Sequence, residues 1–199
     1  MSTAGTLERM ILSPNASIDE VAAWLDALAP NVRIEETRTL GPAPQAALWR
    51  LTAGRTFTLD DLVPPDYGPL EPVRHFGRNT LPAFRLFEKR FCRPSAATAE
   101  PCLWGYNEGP TRGLVGPGYF VTRLTPNDPR GGSVVDYWQV PTERPAQWPE
   151  VRDNTDGLQR FVYARMHDFL RKVSAHVSIG RAWREHKATD NYFVLCREG

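Results

Sequence analysis

Residues 157–177 read GLQRFVYARMHDFLRKVSAHV, and this stretch decides the fold that the sequence predicts. Its apolar residues share one broad arc when each residue is turned by about 100° from the last, as in an α-helix. These residues are Leu158, Phe161, Val162, Met166, Phe169, Leu170, Val173 and Val177. Residues 153–156 can cap a helix that begins there. The pattern therefore predicts one long amphipathic helix.

The chain on both sides of this helix has segments typical of β-strands. Residues 102–107, 114–124 and 134–140 are rich in aromatic and β-branched side chains, and residues 191–198 alternate as a closing strand. Short turn-forming sequences, NEGPTRG and TPNDPRGG, separate the first three, which predicts an antiparallel meander. The Gly-Pro-Gly at 116–118 indicates a bend in the second strand.

Further helices are predicted before these strands. Ser17 and Glu20 form a capping box ahead of an apolar stripe that ends at Pro30, and weaker helical segments follow over 32–40 and from Pro44. Near residue 80 another helix is expected, because apolar residues again recur every three or four positions. They are Leu81, Phe84, Phe87 and Phe91.

These elements predict an α+β fold. A curved antiparallel meander sheet of about four to five strands is expected to pack on the long amphipathic helix. We expect residues 1–63 to form a helical N-terminal segment packed on an α+β domain of residues 64–199.

Composition limits the function. The 199 residues are 41% hydrophobic with a formal net charge of +1, so no global charge favours nucleic acid or an anionic membrane. Three cysteines, an odd number, favour a reducing compartment, and no window approaches 18 apolar residues. We expect a cytoplasmic protein with neither a nucleic-acid nor a membrane partner.

The sequence predicts no metal and no cofactor. Cys92 and Cys102 are ten residues apart, and His167 and His176 are nine apart, which is wider than the usual spacing of zinc ligands. The patterns GxGxxG, GxxxxGK[ST] and GxSxG, which mark nucleotide sites and a serine nucleophile, are absent.

Six residues are candidate ligand contacts. Asp136 shares a strand face with Val134 and Trp138, so its carboxylate enters an apolar layer if that face is the inner one. Arg165, at the edge of the helical arc, could neutralise the charge of Asp136, either in a structural ion pair or in a binding site. Tyr119 and Tyr137 add polar tips to an aromatic pocket. His75 and Arg78 lie at a predicted helix N-terminus, which attracts anions.

The leading functional hypothesis is binding of an apolar or aromatic small molecule in a pocket between sheet and long helix. One alternative is a metal-independent enzyme in the same pocket, with Asp136, His75 or His176 as acid or base. Another is a protein-interaction module that uses the basic segment 74–93.

Overall fold

The computed structural model describes residues 5–199, which form a closed barrel of eight antiparallel strands with six short helices. The strands are β1 (Val73–Asn79), β2 (Leu86–Cys92), β3 (Cys102–Glu108), β4 (Phe120–Leu124), β5 (Ser133–Asp136), β6 (Met166–Lys172), β7 (Val177–Arg184) and β8 (Lys187–Arg197). The helices are α1 (Thr6–Leu12), α2 (Ile18–Asp26), α3 (Pro30–Thr39), α4 (Pro42–Leu51), α5 (Arg112–Val115) and α6 (Gln159–Val162).

The barrel has an up-and-down topology. Each strand pairs with the next one in the sequence, and β8 returns to pair with β1, for example through Cys196 opposite Phe76. Closure gives every strand two neighbours, so the sheet has no free edge. The predicted open sheet of four to five strands is therefore wrong.

The predicted long helix over 157–177 is also wrong. This stretch contains α6, one turn of helix, followed by β6 and the start of β7. Strand β6 is buried on both sides, because Phe169 packs outside the barrel while Leu170 packs inside it. A strand with two buried faces loses the apolar–polar alternation by which strands are recognised.

The helix predicted near residue 80 is replaced by the hairpin of β1 and β2. Phe87, Lys89 and Phe91 alternate with Glu88 and Arg90 along β2, with the first set facing the barrel interior. A spacing of four residues, as between Phe87 and Phe91, returns a side chain to the same face in a strand and nearly so in a helix. The apolar spacing could not separate the two structures.

Several local predictions are confirmed. Ser17 Oγ accepts a hydrogen bond from the Glu20 N–H at 3.4 Å at the start of α2, although Pro30 begins α3 instead of ending α2. Strand β3 follows the predicted segment 102–107 closely. The predicted bend at 116–118 is present, since Gly116 and Gly118 have φ angles of 116° and 54°.

The N-terminal helices cover part of the outer wall. Helices α3 and α4 lie against β7, β8 and β1, and the apolar layer between helices and wall includes Leu25, Leu48, Trp49, Trp183 and Val194. No helix within residues 5–199 combines the length and apolar character that crossing a bilayer requires.

The barrel interior is filled at one end. Phe57, Leu62 and Val63, from the connection between α4 and β1, pack beneath the side chains of the wall, including Phe91 and Leu195. This connection includes a 3₁₀ turn, 59–61. The interior is therefore closed at the end where β1 begins, and a cavity can open only towards the other end.

Candidate functional site

A cavity of about 510 Å³ occupies the other end of the barrel. Aromatic and aliphatic side chains form most of its wall, including Phe87, Tyr163, Met166, Tyr192 and Phe193. Volumes of about 300–1,000 Å³ are typical of sites for small molecules. The cavity is thus large enough for a ligand and apolar enough to favour one with aromatic or aliphatic surface.

Four polar side chains meet on the cavity wall, and we call them the inner tetrad: Lys89, Asn107, Tyr137 and Asp168. They come from four strands or strand ends, β2, β3, β5 and β6. Lys89 Nζ donates to Asn107 Oδ1 at 3.0 Å and to the Tyr137 hydroxyl, and it lies 3.1 Å from Asp168 Oδ2. The three hydrogens of the ammonium group therefore each have an acceptor.

The Gly-Pro-Gly bend positions this tetrad. Asn107 Nδ2 donates to the Gly118 carbonyl at 2.9 Å and to the Tyr137 hydroxyl at 3.1 Å. Gly118 has a left-handed φ of 54° and lies directly against the ring of Tyr163, so a side chain at this position would clash. The bend thus brings a backbone acceptor into the barrel, where it orients the Asn107 amide.

Asp168 keeps one oxygen for a ligand. The Tyr137 hydroxyl donates to Oδ2 at 3.1 Å, and Lys89 contacts the same oxygen. Within residues 5–199 no donor reaches Oδ1, and Asp168 lines the cavity. The chemistry of this site is that of a hydrogen-bond acceptor on an apolar wall.

Burial shifts the pKa values of two members of the tetrad, Lys89 and Tyr137. It lowers the pKa of Lys89, although the Asp168 carboxylate opposes this shift by favouring the charged amine. Burial, together with the negative charge of Asp168, raises the pKa of the Tyr137 hydroxyl well above its usual value. Because its pKa is raised, the Tyr137 hydroxyl is a neutral donor. The centres of the Phe120, Tyr137 and Phe193 rings lie 4.8, 5.0 and 5.2 Å from Lys89 Nζ and add cation–π attraction.

Exposed apolar side chains surround the cavity mouth, and we call them the rim. They come from the β1–β2, β3–β4 and β5–β6 connections and comprise Phe84, Leu86, Leu114, Leu158, Phe161 and Val162. Leu114 is 74% exposed, Phe84 67% and Phe161 64%. Antiparallel pairing brings all three connections to the same end of the barrel.

Of the six predicted contact residues, Tyr137 lies on the cavity wall, whereas Asp136 points away from it. Asp136 is buried in the outer side of the wall, where Arg123 Nη1 donates to Oδ2 at 2.8 Å and His167 Nε2 lies 3.3 Å from Oδ1. Burial raises the pKa of Asp136, but the bonds from His167, Arg123 and the Trp138 N–H outweigh burial and the net shift is downward. The arginine that pairs with Asp136 is therefore Arg123 and not the predicted Arg165.

The other four candidates are dispersed. Arg165 is exposed and pairs with Glu185 at 2.6 Å, and Tyr119 is buried outside the barrel with its hydroxyl on the Pro149 carbonyl. His75 is inside the barrel, but at the closed end, and Arg78 donates to the Arg38 carbonyl. Their predicted role in binding stays a prediction, which the shared cavity does not support.

Three members of the inner tetrad, Lys89, Asn107 and Asp168, were missed. Lys89 and Asp168 were assigned to helices, where charged residues normally face solvent. The signal that could have found Lys89 is its position between Phe87 and Phe91, since all three share one face of a strand.

Across the part of the chain from Gly5 onwards, no three His, Cys, Asp or Glu side chains lie close enough to hold a metal ion. Fold and site together define an eight-stranded up-and-down barrel with an apolar, ligand-sized cavity that opens at one end. No family model matches the chain, and no curated protein or solved structure matches it.

Proposed function

We propose that the protein binds a small, largely apolar or aromatic molecule inside the barrel, with a hydrogen-bond donor of the ligand directed at Asp168. The observation that carries the proposal is the cavity of about 510 Å³, apolar along most of its wall and open at the rim. A protein that had no ligand to bind would gain stability by filling such a space with side chains.

The inner tetrad defines the polar part of the ligand. Lys89 and Asp168 neutralise each other, so the inner tetrad itself has no net charge to attract an ion. The remaining oxygen of Asp168 accepts a hydrogen bond, and a ligand carboxylate placed there would be repelled. The best match is a neutral molecule with one hydroxyl or N–H group at the end that enters first.

The structure favours binding over the two alternatives. Asp136, His75 and His176, the acid–base residues expected of an enzyme, are not among the described residues that line the cavity. The basic segment 74–93 forms β1 and β2, and Lys89 from this segment points into the barrel. Lys89 is therefore not available to a basic interaction surface over that segment.

Fluorescence titration with N-phenylnaphthylamine tests the proposal, because this probe is aromatic, neutral and carries one N–H donor. Ala182 is on the cavity wall, so Ala182→Phe should fill the cavity and weaken probe binding by about ten-fold or more, which is about 1.4 kcal/mol. Ala188→Phe makes the same change at an exposed position of the neighbouring strand and should leave affinity unchanged.

A second ligand tests the polar contact. The diaryl ether of the same shape has no donor, and we expect it to bind about ten-fold more weakly than the amine. Equal binding of the amine to a folded Ala182→Phe variant and to the wild type would place the probe outside the cavity and refute the proposal. Near-ultraviolet circular dichroism checks that each variant is folded.

A further inference from the structure

The rim has properties that ligand binding inside the barrel does not require. Leu114 and Leu158 are exposed and do not line the cavity, although they belong to the same connections as Val115 and Phe161, which do. Phe84, at the tip of the β1–β2 hairpin, has a φ of 52°, a left-handed conformation that is costly for a bulky side chain. Several large exposed apolar side chains at one end of a molecule are typical of an interaction surface.

Positive charge is concentrated around the same mouth. Residues 80–86, 108–116 and 157–165 and the turn 184–187 contain six Arg or Lys residues and two acidic residues, Glu108 and Glu185, which pair with Arg112 at 2.7 Å and Arg165 at 2.6 Å. The whole chain carries a net charge of only +1, so the remainder is net negative. The molecule is therefore electrically polarised, with its positive end at the cavity mouth.

Two of these arginines contact exposed apolar residues of the rim. The Arg160 guanidinium lies 4.7 Å from the centre of the Phe161 ring. Arg184 Nη2 donates to the carbonyls of Phe161 at 3.1 Å and Val162 at 3.3 Å. Apolar tips and cations thus approach any flat surface together, as in proteins that bind the interface of anionic bilayers.

We propose that the mouth end of the barrel docks on an anionic lipid bilayer, with the rim in the headgroup layer and the surrounding arginines against lipid phosphate and carboxylate groups. The cavity then opens onto the bilayer, so an apolar ligand enters without crossing water. Docking rests on the rim and its charges; transfer of the ligand rests in addition on the proposed function.

A bilayer fits this end better than a second copy of the chain does. In a two-fold dimer that buried the rim, each basic surface would face its own copy, and the like charges would repel. An anionic surface instead attracts the cations of both the mouth and the rim. No membrane partner is expected from the sequence, because the net charge is only +1 and no window approaches 18 apolar residues, whereas this surface is assembled from separate loops.

Flotation with lipid vesicles tests the docking on the full chain. We expect binding to phosphatidylcholine vesicles that contain phosphatidylserine, and about ten-fold weaker binding to phosphatidylcholine alone or at high salt. The variant Leu114→Ser/Leu158→Ser should lose about ten-fold in vesicle affinity, as should Arg85→Glu/Arg160→Glu. None of these four residues lines the cavity, so binding of N-phenylnaphthylamine should be retained.

Matched controls change exposed residues elsewhere. Leu12 and Leu124 are also exposed but lie away from the rim, as does Arg50 on α4, so Leu12→Ser/Leu124→Ser and Arg50→Glu should bind vesicles normally. If the wild-type protein binds neither type of vesicle, the docking proposal is wrong. So would a dimer, seen by analytical ultracentrifugation, that the rim variant abolishes. Vesicle binding without probe binding would refute the proposed function and leave the docking intact.

Discussion

Two polar clusters lie one residue apart on the same pair of strands but on opposite sides of the barrel wall. Asp136 and His167 face outward from β5 and β6, and their neighbours Tyr137 and Asp168 face inward. Successive side chains of a strand point to opposite faces, so a shift of one residue changes the environment completely.

The two carboxylates differ in how their bonds are completed. Asp136 uses both oxygens with protein donors, from Arg123, His167 and the Trp138 N–H. Asp168 uses one oxygen and presents the other to the cavity. The outer cluster has its bonds completed within the wall, whereas the inner tetrad has an acceptor oxygen that no donor within residues 5–199 reaches. The same residue type is therefore fully bonded on one face, and on the other it has the open acceptor on which the proposed function rests.

The largest effect is expected from breaking the inner ion pair. Asp168→Leu leaves the buried Lys89 ammonium without its counter-ion, and Lys89→Met leaves the carboxylate, so each should lower the free energy of unfolding by about 3–5 kcal/mol. The double variant removes both charges and should be far less destabilised than either single one. Urea denaturation of all four proteins gives the coupling energy.

The matched outer cycle uses Arg123→Met and Asp136→Leu. One third of the Arg123 side chain is exposed, so water can solvate this guanidinium when Asp136 is removed, whereas the Lys89 side chain is only 2% exposed. The inner coupling should therefore exceed the outer one. Equal couplings would mean that the two faces do not differ in electrostatic environment.

A smaller effect is expected from Asp136→Asn. The amide can still accept from the Trp138 N–H, but it loses the charged bonds to Arg123 and His167, which should cost about 1–3 kcal/mol. Since the pKa of Asp136 is lowered in the folded state, its contribution is present above 3.8 and is lost as the pH falls below that value. Urea titrations at several pH values measure both effects. Asp156→Asn, at an exposed position, is the control, and unchanged affinity for N-phenylnaphthylamine is expected throughout.

The smallest effect on the free energy of unfolding is expected from the titration of His75. This residue lies on the inner face of the wall, at the closed end of the barrel. Burial lowers its pKa from 6.5 to about 3, with the bond to the Leu62 carbonyl opposing and Arg197 adding to the shift. The unfolded chain takes up a proton near pH 6.5 and the folded protein does not, so stability is lost as the pH falls from 6.5 towards 3. We expect a loss of about 1 kcal/mol over the first pH unit.

His75→Gln should remove this pH dependence, because glutamine can reach the same carbonyl without titrating. His176 is partly exposed near the C-terminus, and His176→Gln should change the profile less. A wild-type slope that survives His75→Gln would show that His75 is not the group responsible. Together with the Asp136 experiment, this separates inner-face sensitivity near neutral pH from outer-face sensitivity in acid.

The sequence predicted part of the candidate site. Tyr137 was expected to contact a ligand and lies on the cavity wall. Asp168 is not among the predicted contacts because its segment is predicted to be helical, and Lys89 lies in the helix predicted near residue 80, where a charged residue is expected to face solvent. A charged residue inside a barrel is recognised only once its neighbours in space are known, and those of Lys89 are contributed by three other strands.

The sequence by itself determined the features that depend on near neighbours: the capped start of α2, the extended segment of β3 and the bend at 116–118. A hydroxyl that bonds a nearby N–H and a glycine with a left-handed φ act within a few residues. Tertiary structure alone decided that 86–92 and 166–172 form strands and that Lys89 and Asp168 point inward. Apolar residues four apart suit both helix and strand, and pairing that buries both faces of a strand selects between them.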